Sequence, residues 1–178
     1  MEPNELQEIL LKLPAREVMA LNANFEAAAE YSRFGVESLV GPMAVVLNRW
    51  RHPSRWQESI QEVVAARRQF SWTNWDAKIK DPQYPRALKF ARRLLAGLEV
   101  DNVIYHVALD LTGAMLGGQA ANPVANATFY YNPGICCPSW AANMIETKVI
   151  GHHRFMADPG DPEVLWDRRV NYFEDPLS

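Results

Sequence analysis

Apolar residues recur at spacings of three and four through most of the first two thirds of this 178-residue chain, and this helical period constrains the fold more than any other feature. The clearest case is residues 15 to about 30, where Val18, Leu21 and Phe25 fall on one side of a helix. At 100° per residue, Glu26 lies at the edge of that side. We therefore expect a helix that holds one carboxyl group half in and half out of the interior.

The same spacing predicts helices over residues 6–13, 37–50, 56–64, 85–96, 100–115 and 140–150. Gly41 and Pro42 must either begin the third helix or break it. Residues 69–75 and 127–131 are rich in aromatic and β-branched side chains and predict extended chain, the first as a small sheet or hairpin. The expected class is α+β, mostly α. It comprises one domain over residues 1–157 and an irregular tail over 158–178.

Composition excludes several classes of protein. No apolar run approaches the roughly 18 residues that cross a bilayer. The net charge of −3 gives no general reason to bind nucleic acid. Cys136 and Cys137 are adjacent and are expected to be reduced thiols, because neighbouring cysteines bridge only through a strained ring. The first residues lack the basic and apolar pattern of a secretory signal, so we expect synthesis in the cytosol.

Six short motifs follow one another along residues 20–156. They read Phe-Glu-Ala-Ala-Ala-Glu at 25–30, Val-Val-Leu-Asn-Arg at 45–49, Gln-Phe-Ser at 69–71, Ala-Thr-Phe-Tyr-Tyr-Asn-Pro at 127–133, Pro-Ser-Trp-Ala at 138–141 and Ile-Gly-His-His-Arg-Phe at 150–155. Their order and spacing resemble the SleB-type cell-wall hydrolases, which include spore-cortex-lytic enzymes and phage lysins. The chain departs from the family's pattern at Ala28, Ala29, Phe129 and Met156, and residues 100–119 are an apparent insertion.

The resemblance implies a lysozyme-like fold and cleavage of the β-1,4 bond between N-acetylmuramic acid and N-acetylglucosamine. In this family the cleavage is usually lytic transglycosylation without a cofactor, and the partner is a peptidoglycan glycan strand. Glu26 takes the place of the catalytic acid. An alignment without the insertion before Val45 would put Glu30 or Glu37 there instead. Glu26 is preferred because the motif at residues 25–30 then stays intact.

The chemistry fits a carboxyl group at the edge of an apolar helix face. Glycosidic cleavage needs an acid that stays protonated near neutral pH, and partial burial raises the pKa of a glutamic acid. In a lytic transglycosylase the ionised group then takes the proton of the sugar's own 6-hydroxyl, which closes a 1,6-anhydro ring. A second carboxylate is not obligatory for this reaction.

The resemblance also implies residues for substrate binding, namely Glu30, Gln69, Ser71, Thr128, Tyr130, Trp140 and His153. Gln69 and Ser71 are expected to hold an N-acetyl group and orient the acid. Thr128 and Tyr130 lie on one predicted strand, so either both line a groove or both line the core. His153 is expected to donate a hydrogen bond near the site.

Three of the tryptophans, Trp72, Trp75 and Trp140, have two interpretations, as platforms for sugar rings or as core. The pair His152 and His153 suggests a metal only weakly, because no further ligand has suitable spacing, and we expect no metal site.

Two functions from different classes remain open. The favoured one is a monomeric peptidoglycan-cleaving enzyme, a phage endolysin or virion lysin that is made in the cytosol and acts on the cell wall. The alternative is a wall-binding or virion-structural protein that keeps the scaffold and has lost catalysis, which the changes at Ala28, Ala29 and Phe129 motivate.

Overall fold

The computed structural model describes residues 2–52, 54–76 and 78–163. Within them lie six α-helices and three β-strands, which confirms the predicted α+β class. The elements are α1 Glu5–Leu10, α2 Ala15–Phe34, α3 Glu37–Arg51, α4 Ile60–Ala65, α5 Tyr84–Leu95, α6 Val103–Leu116, β1 Phe129–Tyr131, β2 Ile145–Ile150 and β3 His153–Ala157. None of these helices is long and apolar enough to cross a membrane.

Helix α2 is the centre of the fold. Every residue from 18 to 25 is buried, because α3, α4 and α6 all pack against this helix. The sequence predicted an apolar stripe on one side, whereas the middle of α2 is enclosed all round. Ala20 and Ala23 are small enough to let the neighbouring helices approach. The buried Asn22 side chain accepts a hydrogen bond of 3.2 Å from Trp72 Nε1, which ties the loop after α4 to the centre.

Helix α3 runs through Gly41 and Pro42, which neither begin nor break it. Pro42 lies in the second turn, where it removes only the backbone bond to Ser38. Gly41 is needed for packing, because a Cβ at this position would collide with the ring of Phe155 on β3. The close approach of sheet and helix therefore explains the glycine.

The three strands form one antiparallel sheet in the order β1-β3-β2. The predicted helix over residues 140–150 is wrong, since a 3-10 turn at Ser139–Asn143 is followed by β2. The β-branched residues Ile145, Thr147, Val149 and Ile150 explain the strand, because such side chains favour extended backbone. Gly151, with φ 57°, makes the turn into β3 instead of ending a helix.

The predicted hairpin over residues 69–75 is also wrong. A 3-10 turn at Ser71–Thr73 is followed by a single bridge between Trp75 and Lys80. Trp72 is fully buried and stacks on Phe25 at 5.1 Å between ring centroids. Packing of this side chain into the helical core, rather than strand pairing, therefore determines the local backbone.

The remaining boundaries shift by a few residues. Helix α1 ends at Leu10, and Pro14 instead precedes α2. The predicted tail has two described aspartates, Asp158 and Asp161, and Arg55 lies 2.9 and 3.3 Å from them respectively. The rest of that tail, residues 164–178, lies outside the described residues.

Candidate active site

A groove of about 610 Å³ opens beside the middle of α2. Its walls come from α2, from the end of α3, from the segment around the Ser71–Thr73 turn, and from β1, β3 and the loop that follows β1. The structure brings together here six of the residues that the sequence singled out: Glu26, Gln69, Ser71, Tyr130, Trp140 and His153.

Glu26 is partly buried at the wall of the groove, as the helical spacing predicted. Burial raises the pKa of this carboxyl group to about 7, while the hydrogen bond from Tyr130 and the charge of Arg49 oppose the rise and the charge of Asp81 adds to it. Near neutral pH the group therefore exists in both its acid and its base form, which suits a group that must first give a proton and then take one.

The hydroxyl of Tyr130 donates a hydrogen bond of 2.7 Å to Oε2 of Glu26. Burial, together with the nearby Glu26, raises the pKa of Tyr130 well above its ordinary value, so the hydroxyl stays protonated. The rings of Phe155 and His153 each lie 5.4 Å from the Tyr130 ring and hold it in place. Tyr130 thus orients the carboxyl group and stabilises its ionised form.

The end of α3 positions the chain that leads into β1. Asn48 Nδ2 donates to the carbonyls of Ala125 and Ala127 at 2.8 and 2.7 Å. Arg49 Nε donates to the carbonyl of Thr128 at 2.7 Å. Together the two side chains hold residues 125–128, and thereby place Tyr130 two residues further on.

Arg49 is the site residue that sequence reasoning missed. Arg49 lies in the motif at residues 45–49, but the sequence predicted no role for it. Its side chain is only 4% exposed, lines the groove, and lies under the rings of Trp56 and Phe70 at 4.6 and 5.1 Å. Burial lowers the pKa of Arg49 to about 10, so the guanidinium is still charged at neutral pH. The available signal was an arginine two residues after the apolar run Val45–Leu47, on a helix that the sequence predicts to be largely buried.

Glu30 does not line the groove. Its carboxylate accepts bonds from the backbone nitrogen of His152 at 3.0 Å and from His152 Nδ1 at 2.8 Å. Burial raises the pKa of Glu30, but these bonds outweigh it, and the pKa lies below its ordinary value. A Cβ on Gly151 would collide with this carboxylate, so Glu30 supports the turn between β2 and β3.

Thr128 is also absent from the groove, which corrects the prediction that it shares a side with Tyr130. It is fully buried, and its Oγ1 donates to Asp161 Oδ2 at 3.1 Å. The alternation of a strand does not apply because β1 begins only at Phe129.

The three tryptophans have different environments. Trp72 is core, and Trp75 stacks on Tyr84 away from the groove. Trp140 packs against Phe129 and Tyr131 at 5.3 and 5.6 Å and also lines the groove. Only Trp140 is therefore placed to stack on a bound sugar.

His153 lines the groove beside Tyr130. Burial lowers its pKa, so the imidazole is neutral near pH 7 and keeps one donor and one acceptor nitrogen. Across residues 2–52, 54–76 and 78–163, no three His, Cys, Asp or Glu side chains are grouped as metal ligands. Cys136 and Cys137 are exposed free thiols, and Cys136 lies at the rim of the groove.

An open groove of this size with one carboxyl group titrating near neutral pH has the features of an enzyme that works by general acid–base chemistry on an extended substrate. A family model for cell wall hydrolases matches residues 37–156, about two thirds of the chain. The protein therefore belongs to the cell wall hydrolase family, as the sequence motifs indicated.

The matched segment includes Arg49, Tyr130 and His153, and it begins after Glu26. The position of the acid therefore rests on the geometry of the groove. Neither the curated proteins nor the solved structures yielded a match to this chain.

Proposed function

We propose that this cell wall hydrolase is a lytic transglycosylase, which cleaves the β-1,4 bond between N-acetylmuramic acid and N-acetylglucosamine with Glu26 as acid and then base. The observation that carries the proposal is the partly buried Glu26 carboxyl group in the groove, hydrogen-bonded to Tyr130. Membership of the cell wall hydrolase family makes peptidoglycan the substrate to consider first.

The first step is proton donation. Oε2 of Glu26 accepts the Tyr130 hydrogen, which leaves Oε1 to carry the acidic proton. This proton passes to the glycosidic oxygen as the bond to the muramic acid C1 breaks and positive charge builds on that sugar. A positioned acid of this kind contributes about 10²- to 10⁴-fold in rate.

The second step returns the proton. The Glu26 carboxylate, stabilised by Tyr130, takes the proton of the 6-hydroxyl of the muramic acid residue while O6 bonds to C1. The product is a 1,6-anhydro sugar, and Glu26 ends protonated and ready for another cycle. Among the described residues that line the groove, Glu26 is the one carboxylate, and this reaction needs only one.

The choice of Glu26 over the two alternatives rests on their environments. Glu30 is engaged by His152 and its pKa is lowered, so it is a poor proton donor near neutral pH. Glu37 is exposed at the start of α3, outside the groove. Of the three glutamates, only Glu26 both faces the groove and has a pKa near 7.

The test is digestion of purified sacculi followed by mass spectrometry of the released muropeptides. We expect the wild type to release products that lack the mass of one water relative to hydrolysed ones. Glu26→Gln should release none, whereas Glu37→Gln, the same change at an exposed position, should match the wild type. Hydrolysed products, without the loss of one water, would show that the enzyme is a muramidase and not a lytic transglycosylase. Binding of the wild type to sacculi without any release would favour the inactive wall-binding or virion-structural alternative.

We further propose that the protein is a lysin of the kind that phages encode, and that it acts on the cell wall as a monomer. Addition of the purified protein to cells with permeabilised envelopes should lower their turbidity, and Glu26→Gln should not. Unchanged turbidity with the wild type would contradict the lysin role.

A further inference from the structure

Two arginines, Arg49 and Arg68, line the groove together with Glu26. Neither forms an ion pair with a carboxylate in the part of the chain that the structure describes. Among the described residues that line the groove, Glu26 is the one acid, so the lining carries positive charge when Glu26 is protonated. This contrasts with the net charge of −3 on the whole chain.

Arg68 adopts a backbone conformation that is unusual for its residue type. Its φ of 63° is in the left-handed region, which disfavours residues with a Cβ by about 1–2 kcal/mol. The buried Asn74 stabilises this conformation, because its Oδ1 accepts from Arg68 N at 2.9 Å while its Nδ2 donates to the carbonyl of Phe70 at 2.6 Å. The result is an exposed arginine held at the edge of the groove.

The preceding arginine shows that this placement is specific to one position. Arg67 is also exposed, but it pairs with Asp76 at 2.5 Å and does not line the groove. The two neighbours therefore differ in surroundings: one has an acidic partner on the protein, and the other faces the space where a substrate would lie.

Arg49 adds a second, fixed positive charge behind the groove. Its Nη1 is buried and has no hydrogen-bond partner among the described residues. The surrounding aromatic rings stabilise the cation without neutralising it. Charge of one sign that lines a cleft raises the local concentration of ligands of the opposite sign.

We propose that Arg68 is a specificity-determining residue that binds a carboxylate of the peptidoglycan stem peptide, with Arg49 adding to the positive potential that attracts it. The inference rests on the proposed function, because it takes peptidoglycan as the substrate. It goes further in stating that the groove selects glycan strands that carry acidic stems over neutral β-1,4-linked N-acetylglucosamine polymers. Arg68 is suited to this contact because a guanidinium can bind a carboxylate through two parallel hydrogen bonds.

The test measures binding in the Glu26→Gln background, where the substrate is not consumed. The three ligands are soluble peptidoglycan strands with intact stems, the same strands with their carboxyl groups converted to amides by carbodiimide and ammonia, and chitin oligosaccharides. We expect the acidic strands to bind most tightly. Adding Arg68→Gln should weaken their binding about three- to tenfold and should not weaken the binding of the two ligands that lack carboxylates. Adding Arg67→Gln should change none of the three.

Two results would overturn the inference: equal binding of the acidic and amidated strands, or an equal weakening by Arg68→Gln of ligands with and without carboxylates. The comparison of acidic with amidated strands is made on one and the same protein, so it does not depend on how well the Arg68→Gln variant folds. Failure of the proposed function gives a different pattern. In that case the wild type releases no anhydro products from sacculi, while the preference for acidic strands, if present, still depends on Arg68.

Discussion

Tyr130 donates a hydrogen bond of 2.7 Å to Glu26, although 104 residues separate them in the chain. The carboxyl group comes from the central helix and the hydroxyl from the first strand of the sheet. Burial raises the pKa of Glu26, and the bond from Tyr130 limits that rise. The balance between these two effects leads to the first two predictions.

Activity should fall as the pH rises through about 7, because cleavage needs the protonated form of Glu26. The measurement is the pH dependence of kcat/KM on soluble peptidoglycan strands. A high-pH limb well above 8, or none up to pH 9, would show that a different group supplies the proton.

Replacing Tyr130 with phenylalanine removes a bond that stabilises the ionised carboxyl group, so the pKa of Glu26 should rise further. We expect the high-pH limb of the profile to move to higher pH. The maximal rate should also fall, since the base form of Glu26 is then less stable. Tyr131→Phe, the same change at the next groove residue, should leave the pH profile unchanged.

Stability should also depend on Glu26. Its folded-state pKa of about 7 lies above the ordinary 4.5, so the unfolded state loses its proton first, and stability falls as the pH rises from about 4.5 to about 7. Glu26→Gln should therefore increase the free energy of unfolding relative to wild type by about 2–3 kcal/mol at pH 8, and by little at pH 4. Urea unfolding at the two pH values measures this, and an equal effect at both would contradict it.

Asn48 should matter for stability and for activity. Asn48→Ala removes the side-chain donor to the buried Ala127 carbonyl, whereas the Ala125 carbonyl keeps a second donor, Asn122 Nδ2, at 2.6 Å. The free energy of unfolding should fall by about 1–3 kcal/mol. The rate of cleavage should fall too, because residues 125–128, which place Tyr130, are held less firmly. The pH profile of the remaining activity should keep its shape, because Glu26 is still the acid. A variant that loses neither stability nor rate would show that the chain before β1 is held by other contacts.

Gly151→Ala should destabilise the protein by about 1–3 kcal/mol, because the position has φ 57° and a Cβ would collide with Glu30 and Phe34. Gly113 provides the matched control. It lies inside α6 with open space around it, so Gly113→Ala should stabilise by about 0.5–1 kcal/mol. Thermal unfolding of both variants measures the contrast, and a neutral Gly151→Ala would contradict the packing of Glu30 against this turn.

The sequence alone was sufficient to predict the six helices α1 to α6, with shifted ends. Helical spacing predicted α2, and it placed Glu26 at the edge of an apolar face, because the period of a helix is a local property of the backbone. It failed where two periods fit the same residues. Residues 145–150 suit a helix by apolar spacing and a strand by β-branching, and pairing with β3 decides between them.

Only the tertiary structure decided which residues meet Glu26. Glu26 and Glu30 belong to the same sequence motif, but the structure gives them different surroundings. Glu30 supports the turn at Gly151, whereas Glu26 meets Tyr130 in the groove. Likewise, of the adjacent Arg67 and Arg68, only Arg67 forms an ion pair with a carboxylate of the described residues. The physical reason is that burial, charge and hydrogen bonding at a site come from segments far apart in the chain, and no local pattern encodes their distances.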